Sequence, residues 1–383
     1  MALPLFNVLR SVTLNFNKNQ IKDSGIKTLG FQISKCYELK ELKLKLEGNK
    51  ITELGCLKFV ENISKCTQLQ EIFLSFREIN LSGETSDQIF KHLEKLINLQ
   101  TLSLILIECI IKDIDVQKLA NCLKYLTFLT SLNLNLSQNL ITSEGILALG
   151  EVISQQQIIN QLKLYLCNNP ITAESLNELY KKICSLKNLE KLIIDQSKIQ
   201  FASDQEIQIF QETLSNTNKI QYLYIKITGL ENRSTFINMM KSLQNCQCLD
   251  HAEFIFSDNK IQDEDLIIFG ESLSKLQSLS SLTLMIDNNK IQTGILEFLT
   301  LLHYCGKLSE ITLDLSQNIK FISNQNIKNQ FYSFNRLSQD TIYKLSKSIR
   351  KFQKILSVFI LIQQIFIYQQ CDFQKCFQNY TKK

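Results

Sequence analysis

The sequence predicts an α/β solenoid, a single array of stacked strand-plus-helix units sharing one parallel sheet. Three observations carry this. Leu9, Leu39, Leu69, Leu99, Leu129, Ile159 and Leu189 follow one another at intervals of 30 residues, and the spacing continues with one-residue slips through Ile220, Leu249, Leu279 and Leu308. Within each unit the apolar period changes from two to the helical interval. At the change of period an asparagine recurs.

The unit that starts at Leu129 shows each part most clearly. Leu132, Leu134 and Leu136 alternate with Asn133, Asn135 and Ser137, so a strand would turn the leucines to a core and the polar set away from it. Downstream, Ile146, Leu149, Val152 and Ile153 recur at helical spacing and define a buried stripe. Asn139 stands between the two. Asn19, Asn49, Asn169, Asn259, Asn289 and Asn318 hold the same place, each but the last followed two residues later by Ile. An amide there can bond along the turn and across to the neighbouring unit, satisfying backbone groups that the bending chain would strand.

With these residues in place, the pattern resembles a leucine-rich repeat, closest to the ribonuclease-inhibitor type, over residues 9 to 318. The resemblance implies a horseshoe with a parallel sheet on the concave face and helices on the convex face. Right-handed crossovers are expected on general grounds as well. One departure stands out. The family consensus places its Asn nearer the second leucine than the seven residues that separate Leu132 from Asn139. An inserted dyad such as Asn135-Leu136 predicts strands about two residues longer and a wider concave face.

At 383 residues a compact chain would split into two or three domains. Stacking removes that limit, because the core lengthens without thickening. An apolar fraction of 44% with 21% charged residues fits a folded chain. With prolines only at 4 and 170 and eleven glycines, no linker-like stretch interrupts the array. The expected organisation is an array over 1–318, about eleven repeats near 30 residues long, and a degenerate C-terminal repeat, cap and tail over 319–383. A helix reads from Ser338 to Lys351. The apolar stretch Ile355 to Tyr368, broken by Gln363 and Gln364, is too short to cross a bilayer and reads as buried strand. Repeats three and four put Ile79 and Cys109 at the Asn position, and repeats seven and eight lack it too. Residues Met1 to Phe6 are short for a cap over the first core face. Those residues cover the edge, or the chain belongs to something longer, or this end docks on a partner.

The 42 basic and 37 acidic side chains give a thinly spread charge of +5, so nucleic acid is not an expected partner. Residues Met1 to Val8 lack the basic start and long apolar run of a secretory signal, and the expected location is cytoplasmic. In that compartment twelve cysteines are expected as reduced thiols. Cys36 and Cys66 fall at one point of successive repeats, with Cys246 and Cys305 one residue earlier, a corner suited to a small, easily buried side chain.

Groupings that carry chemistry are absent from the sequence. His92, His251 and His303 have no metal-ligand spacing, and Cys246-Gln247-Cys248 with His251 lacks a second ligand pair nearby. Neither a GxxxxGK phosphate loop nor a GxSxG nucleophile turn occurs. The expectation is a non-catalytic scaffold, without metal or cofactor, that binds a protein partner. Its contact face would carry Phe73, Ile105, Tyr165, Ile193, Tyr224, Ile255 and Met285, which recur nearly once per repeat on the outward strand positions. Contiguous apolar area at a surface marks interaction sites, although strand propensity alone also favours such residues. Two other roles fit the resemblance: GTPase activation, since the Ran GTPase-activating protein has a similar repeat type, and the repeat region of a larger multidomain enzyme such as a kinase.

Overall fold

A computed structural model describes residues 8–197, 219–229 and 233–315, together with the backbone strand Ser357–Leu361. Each described repeat opens on a strand of five residues. These are β1 (Ser11–Asn15), β2 (Glu41–Lys45), β3 (Glu71–Ser75), β4 (Thr101–Ile105), β5 (Ser131–Asn135) and β6 (Gln161–Tyr165). The series goes on with β7 (Lys191–Asp195), β8 (Tyr222–Lys226), β9 (His251–Ile255), β10 (Ser281–Met285), β11 (Glu310–Asp314) and β12 (Ser357–Leu361). All twelve lie in chain order in one parallel sheet. The described helices are α1 (Asp23–Ile33), α2 (Glu53–Ile63), α3 (Glu84–Leu93), α4 (Asp113–Tyr125), α5 (Ser143–Gln155), α6 (Ala173–Cys184), α7 (Arg233–Ser242), α8 (Asp263–Leu273) and α9 (Gly294–Leu302).

The in-phase sequence repeat sets the register. Leu132 pairs with Leu102 on one side and Leu162 on the other, so equivalent leucines stack into ladders. On the helix side Ile146, Leu149 and Ile153 are fully buried against them. One continuous apolar cluster runs the length of the array, and every repeat start except the partly buried Leu9 is in it. Parallel strands sit about 4.8 Å apart and packed helices about 8–10 Å apart. The stack therefore bends with the sheet inside, which makes this a leucine-rich-repeat solenoid with a concave sheet and convex helices.

The inserted dyad lengthens the ladder and leaves the regular strand at five residues. Beyond β5, Leu136 N–H donates to Tyr165 O at 2.9 Å and Gln138 N–H to Cys167 O at 2.8 Å. Gln138 then takes the left-handed conformation, φ 58°, as do Glu108 and Asn168 at the same point of their repeats. That turn costs a non-glycine residue some energy, and it aims the next side chain inward. Asn139 Nδ2 donates to Leu136 O at 2.9 Å in its own repeat and to Leu106 O at 2.7 Å in the one before. Its Oδ1 accepts from Cys109 N at 2.9 Å and Ile111 N at 3.0 Å. Asn49, Asn169 and Asn289 reach back the same way. Where Cys109 replaces Asn, its thiol donates to Phe76 O at 3.0 Å, the equivalent of Leu106 O, and the link between repeats is kept.

A second ladder runs along the helix starts. Asp113, the first residue of α4, accepts from Thr142 N at 2.8 Å, Thr142 Oγ1 at 2.6 Å and Gly145 N at 3.0 Å at the start of α5. Asp23 holds Thr52 and Asp263 holds Thr293 in the same manner. Space for it comes from glycine: a Cβ at Gly145 would lie 2.6 Å from Asp113 Oδ1, and one at Gly294 would lie 2.7 Å from Asp263 Cα. A third ladder closes the helix ends, where Cys66 Sγ donates to Ile33 O at 3.5 Å, Gln156 Nε2 to Leu123 O at 2.7 Å and Cys305 Sγ to Leu273 O at 3.2 Å. Cys36, Cys66, Cys246 and Cys305 are all buried at that corner, and all ten described cysteines are free thiols.

Within its described residues, repeat seven departs from the leucine pattern at Gln196. Gln196 is buried where other repeats place Leu136 or Leu166, and the Tyr180 hydroxyl of α6 donates to its side-chain oxygen. At the C-terminal end β12 falls within the apolar stretch read as strand and pairs in register with β11. The expected helix over 338–351, Asn318, the start Met1 to Phe6 and the turn of repeat seven lie outside the described residues.

Candidate functional site: the concave face of the sheet

Three rows of side chains line the concave face, because alternate positions of each strand point away from the core. Register fixes the rows. Lys163, Ile193, Tyr224 and Glu253 follow one another on the middle row, and Tyr165, Asp195, Lys226, Ile255 and Met285 on the row after it. The seven candidate residues are therefore split: Phe73, Ile193 and Tyr224 stand on the middle row, and Ile105, Tyr165, Ile255 and Met285 on the next.

Five of the seven form one patch from β6 to β10. Ile193 pairs with Tyr224 and Ile255 with Met285, while Tyr165 and Tyr224 stand diagonally to Ile193 and Ile255 on neighbouring strands. Phe73 and Ile105 make a smaller diagonal pair on β3 and β4. Asn133 and Asn135 of β5 separate the two groups. Ile193 is buried, and the other six are half-buried.

Sequence reasoning missed Tyr222, which opens β8 and extends the larger patch onto the first row beside Lys191 and His251. Lys191 Nζ lies 3.8 Å from the centre of its ring, and the His251 ring stacks on it at 6.4 Å. Its hydroxyl donates to Glu253 Oε2 at 3.0 Å. Burial, reinforced by Glu253, pushes the Tyr222 phenol up to about 12. Burial and then Asp195 raise Tyr165 and Tyr224 as well. Lys191 is pushed down by burial and by Lys163. Period-two spacing ahead of Tyr224 was the available signal.

One ion pair lies within the patch. Lys226 Nζ lies 3.4 Å from the buried Asp195, which also accepts from Ser197 N at 3.1 Å. Around the smaller pair, Lys45 Nζ stands 5.8 Å from the Phe73 ring, Lys43 bridges Glu71 at 2.8 Å, and Asn133 Nδ2 donates to Ser103 Oγ at 2.8 Å. Neutral tyrosines on rigid strands suit recognition: large area, two-way hydrogen bonding and little conformational entropy to lose.

Other sequence candidates do not converge. Cys246 is buried, Cys248 is exposed, and His251 Nδ1 lies 2.9 Å from Asp250 beneath Tyr222. His92 on α3 is half-buried and pushed down by burial and by Lys95. Among the described residues no three metal-ligating side chains cluster, and no described helix is long and apolar enough to cross a membrane.

No family model and no curated protein matches the chain. Among solved structures it is similar to the crystal structure of an internalin from Listeria monocytogenes, with 17% identity and a TM-score of 0.45, over 96% of this chain and 90% of that one. It also resembles the actin-binding site 2 structure of leiomodin-1, with 18% identity and a TM-score of 0.28, over 50% of this chain and 88% of that one. At such values the fold rests on the repeat geometry described above.

Proposed function

We propose that this chain is a non-catalytic, cytoplasmic scaffold that grips a protein partner on its concave sheet. Tyr165, Ile193, Tyr224, Ile255 and Met285 form the main contact, and Phe73 with Ile105 a second one. The observation that carries the reading is the continuity of the larger patch across consecutive strands, with Tyr222, Lys191 and Glu253 at the margin. Aromatic anchors inside a polar rim are where binding energy concentrates. The nine described helices, each of nine to thirteen residues, support the ribonuclease-inhibitor type. The in-register β12 supports a repeat array over 1–318 followed by a degenerate closing repeat within 319–383.

Affinity capture from the native cell, with wild type and the Tyr165→Ala/Tyr224→Ala variant side by side, tests this. A protein retained by wild type and lost by the variant at unchanged melting temperature supports the reading. Equal retention by both overturns it, and a large drop in melting temperature assigns the two tyrosines to the core instead.

A further inference from the structure

The edge of the solenoid where helices end and strands begin gathers exposed aromatic side chains, whereas the opposite edge exposes only the aliphatic Leu54, Ile110, Ile114 and Leu140 among the described residues. Among the described residues, the exposed aromatic side chains Phe31, Tyr37, Tyr125, Phe128 and Tyr304 all lie there, 49% to 69% exposed. Tyr37 precedes β2, Tyr125 and Phe128 precede β5, and Tyr304 precedes β11. Ile97 before β4 and Ile158 before β6 are 53% and 44% exposed and join the row. None of these side chains has a place in the core cluster.

The same turns carry exposed lysines, among them Lys65, Lys95, Lys124, Lys187, Lys275 and Lys307. Of the acids on this edge, Glu38 is engaged with Arg10 at 3.7 Å and Asp250 with His251 at 2.9 Å, while Glu190 and Glu310 are exposed among the lysines. Asp23, Asp113 and Asp263 sit on the opposite edge, bound into the helix starts. Helix dipoles account for lysines near helix ends. They give no reason to expose aromatic rings between them.

Shape supplies the third element. An array that bends about an axis parallel to its strands keeps all its strand starts close to one plane. A plane of lysines with aromatic tips between them matches a bilayer surface, where Tyr and Phe settle at the boundary of headgroup and acyl chain and lysines lie over anionic headgroups. A single strand of nucleic acid needs a groove that tracks its backbone, and these turns are convex tips. We propose that this edge docks the protein onto an anionic lipid bilayer. The concave sheet then stands upright from the membrane, open to its partner.

Co-sedimentation of the full chain with unilamellar vesicles tests the proposal, using phosphatidylcholine alone and phosphatidylcholine with roughly one third phosphatidylserine at about 0.1 M salt. Binding to the anionic vesicles alone is expected, falling as salt rises. Lys65→Gln/Lys95→Gln/Lys124→Gln is expected to lower the affinity about a hundredfold. Tyr125→Ser/Phe128→Ser leaves the charge unchanged and is expected to lower it about tenfold. All five positions are exposed, and circular dichroism confirms that each variant is folded. No preference for anionic over neutral vesicles overturns the proposal, as does full binding by the Tyr125→Ser/Phe128→Ser variant. Binding to a single-stranded RNA oligonucleotide with none to anionic vesicles also overturns it.

Discussion

Asp113 at the start of α4 and Thr142 ahead of α5 are 29 residues apart in sequence, yet the Asp113 carboxylate holds the Thr142 hydroxyl at 2.6 Å and its backbone N–H at 2.8 Å. The starts of α2, α5 and α9 are thus each capped by the repeat before them. Local capping and packing between repeats become one interaction, and the same carboxylate also accepts from Gly145 N.

Asp113→Ala is expected to cost about 1–2 kcal/mol in urea denaturation, the range for a lost cap that water partly replaces. Gly145→Ala is the more discriminating change. In an ordinary helix interior the alanine would gain about 1 kcal/mol, whereas here its Cβ would meet Asp113 Oδ1 at 2.6 Å, so destabilisation is expected. The double variant should lose less than the sum of the two single changes. Strict additivity would show that the two residues do not interact.

The asparagine ladder predicts a larger effect. Asn139→Ala leaves the buried N–H groups of Cys109 and Ile111 and the carbonyl of Leu106 without their partner, while the Leu136 carbonyl keeps its bond from Asn169 Nδ2. A loss of about 3–5 kcal/mol is expected from several stranded groups of this kind. Cys109→Ala removes one thiol donor and should cost only about 1–2 kcal/mol. Equal losses at the two sites would mean that the amide's accepting side contributes nothing.

Burial sets a pH limit on stability. It pushes the Cys66 thiol up to about 11 and the Cys109 and Cys305 thiols up to about 12, from an ordinary value of 9.0. Below pH 9 these thiols are neutral in both folded and unfolded chains and stability is unaffected. Above it the unfolded chain ionises first, so stability declines from pH 9 up through the folded values. Urea midpoints should hold level to about pH 9 and then fall. Alkylation mapped by mass spectrometry should modify the exposed Cys248 in the native protein and reach Cys66 and Cys305 only in urea. Native labelling of Cys66 as fast as that of Cys248 would contradict the packing at the helix ends.

What could be read from the sequence was whatever repeats within one unit. The alternation of Leu132, Leu134 and Leu136, the stripe from Ile146 to Ile153 and Asn139 each recur in phase, so strand, helix and turn were legible, as was the reach of the asparagine into the neighbouring repeat. The Asp113 to Thr142 staple was not, because an acid at a helix start and a threonine before the next one each look like ordinary caps. The seven apolar residues read as one row of contacts, whereas register divides them between two rows and β5 interrupts them with Asn133 and Asn135. Tyr222 escaped notice since its importance comes from neighbours on β7 and β9, Lys191, His251 and Glu253, which are close only after the repeats stack.

The most direct test of the concave face is site-specific photocrosslinking, with a photoreactive amino acid replacing Tyr224 on β8 in one protein and Leu147, 45% exposed on α5, in another. Once a partner is in hand, an adduct with that partner from position 224 and none from position 147 is the predicted result. An adduct from position 147 with none from 224 would place the partner on the helices and contradict the account.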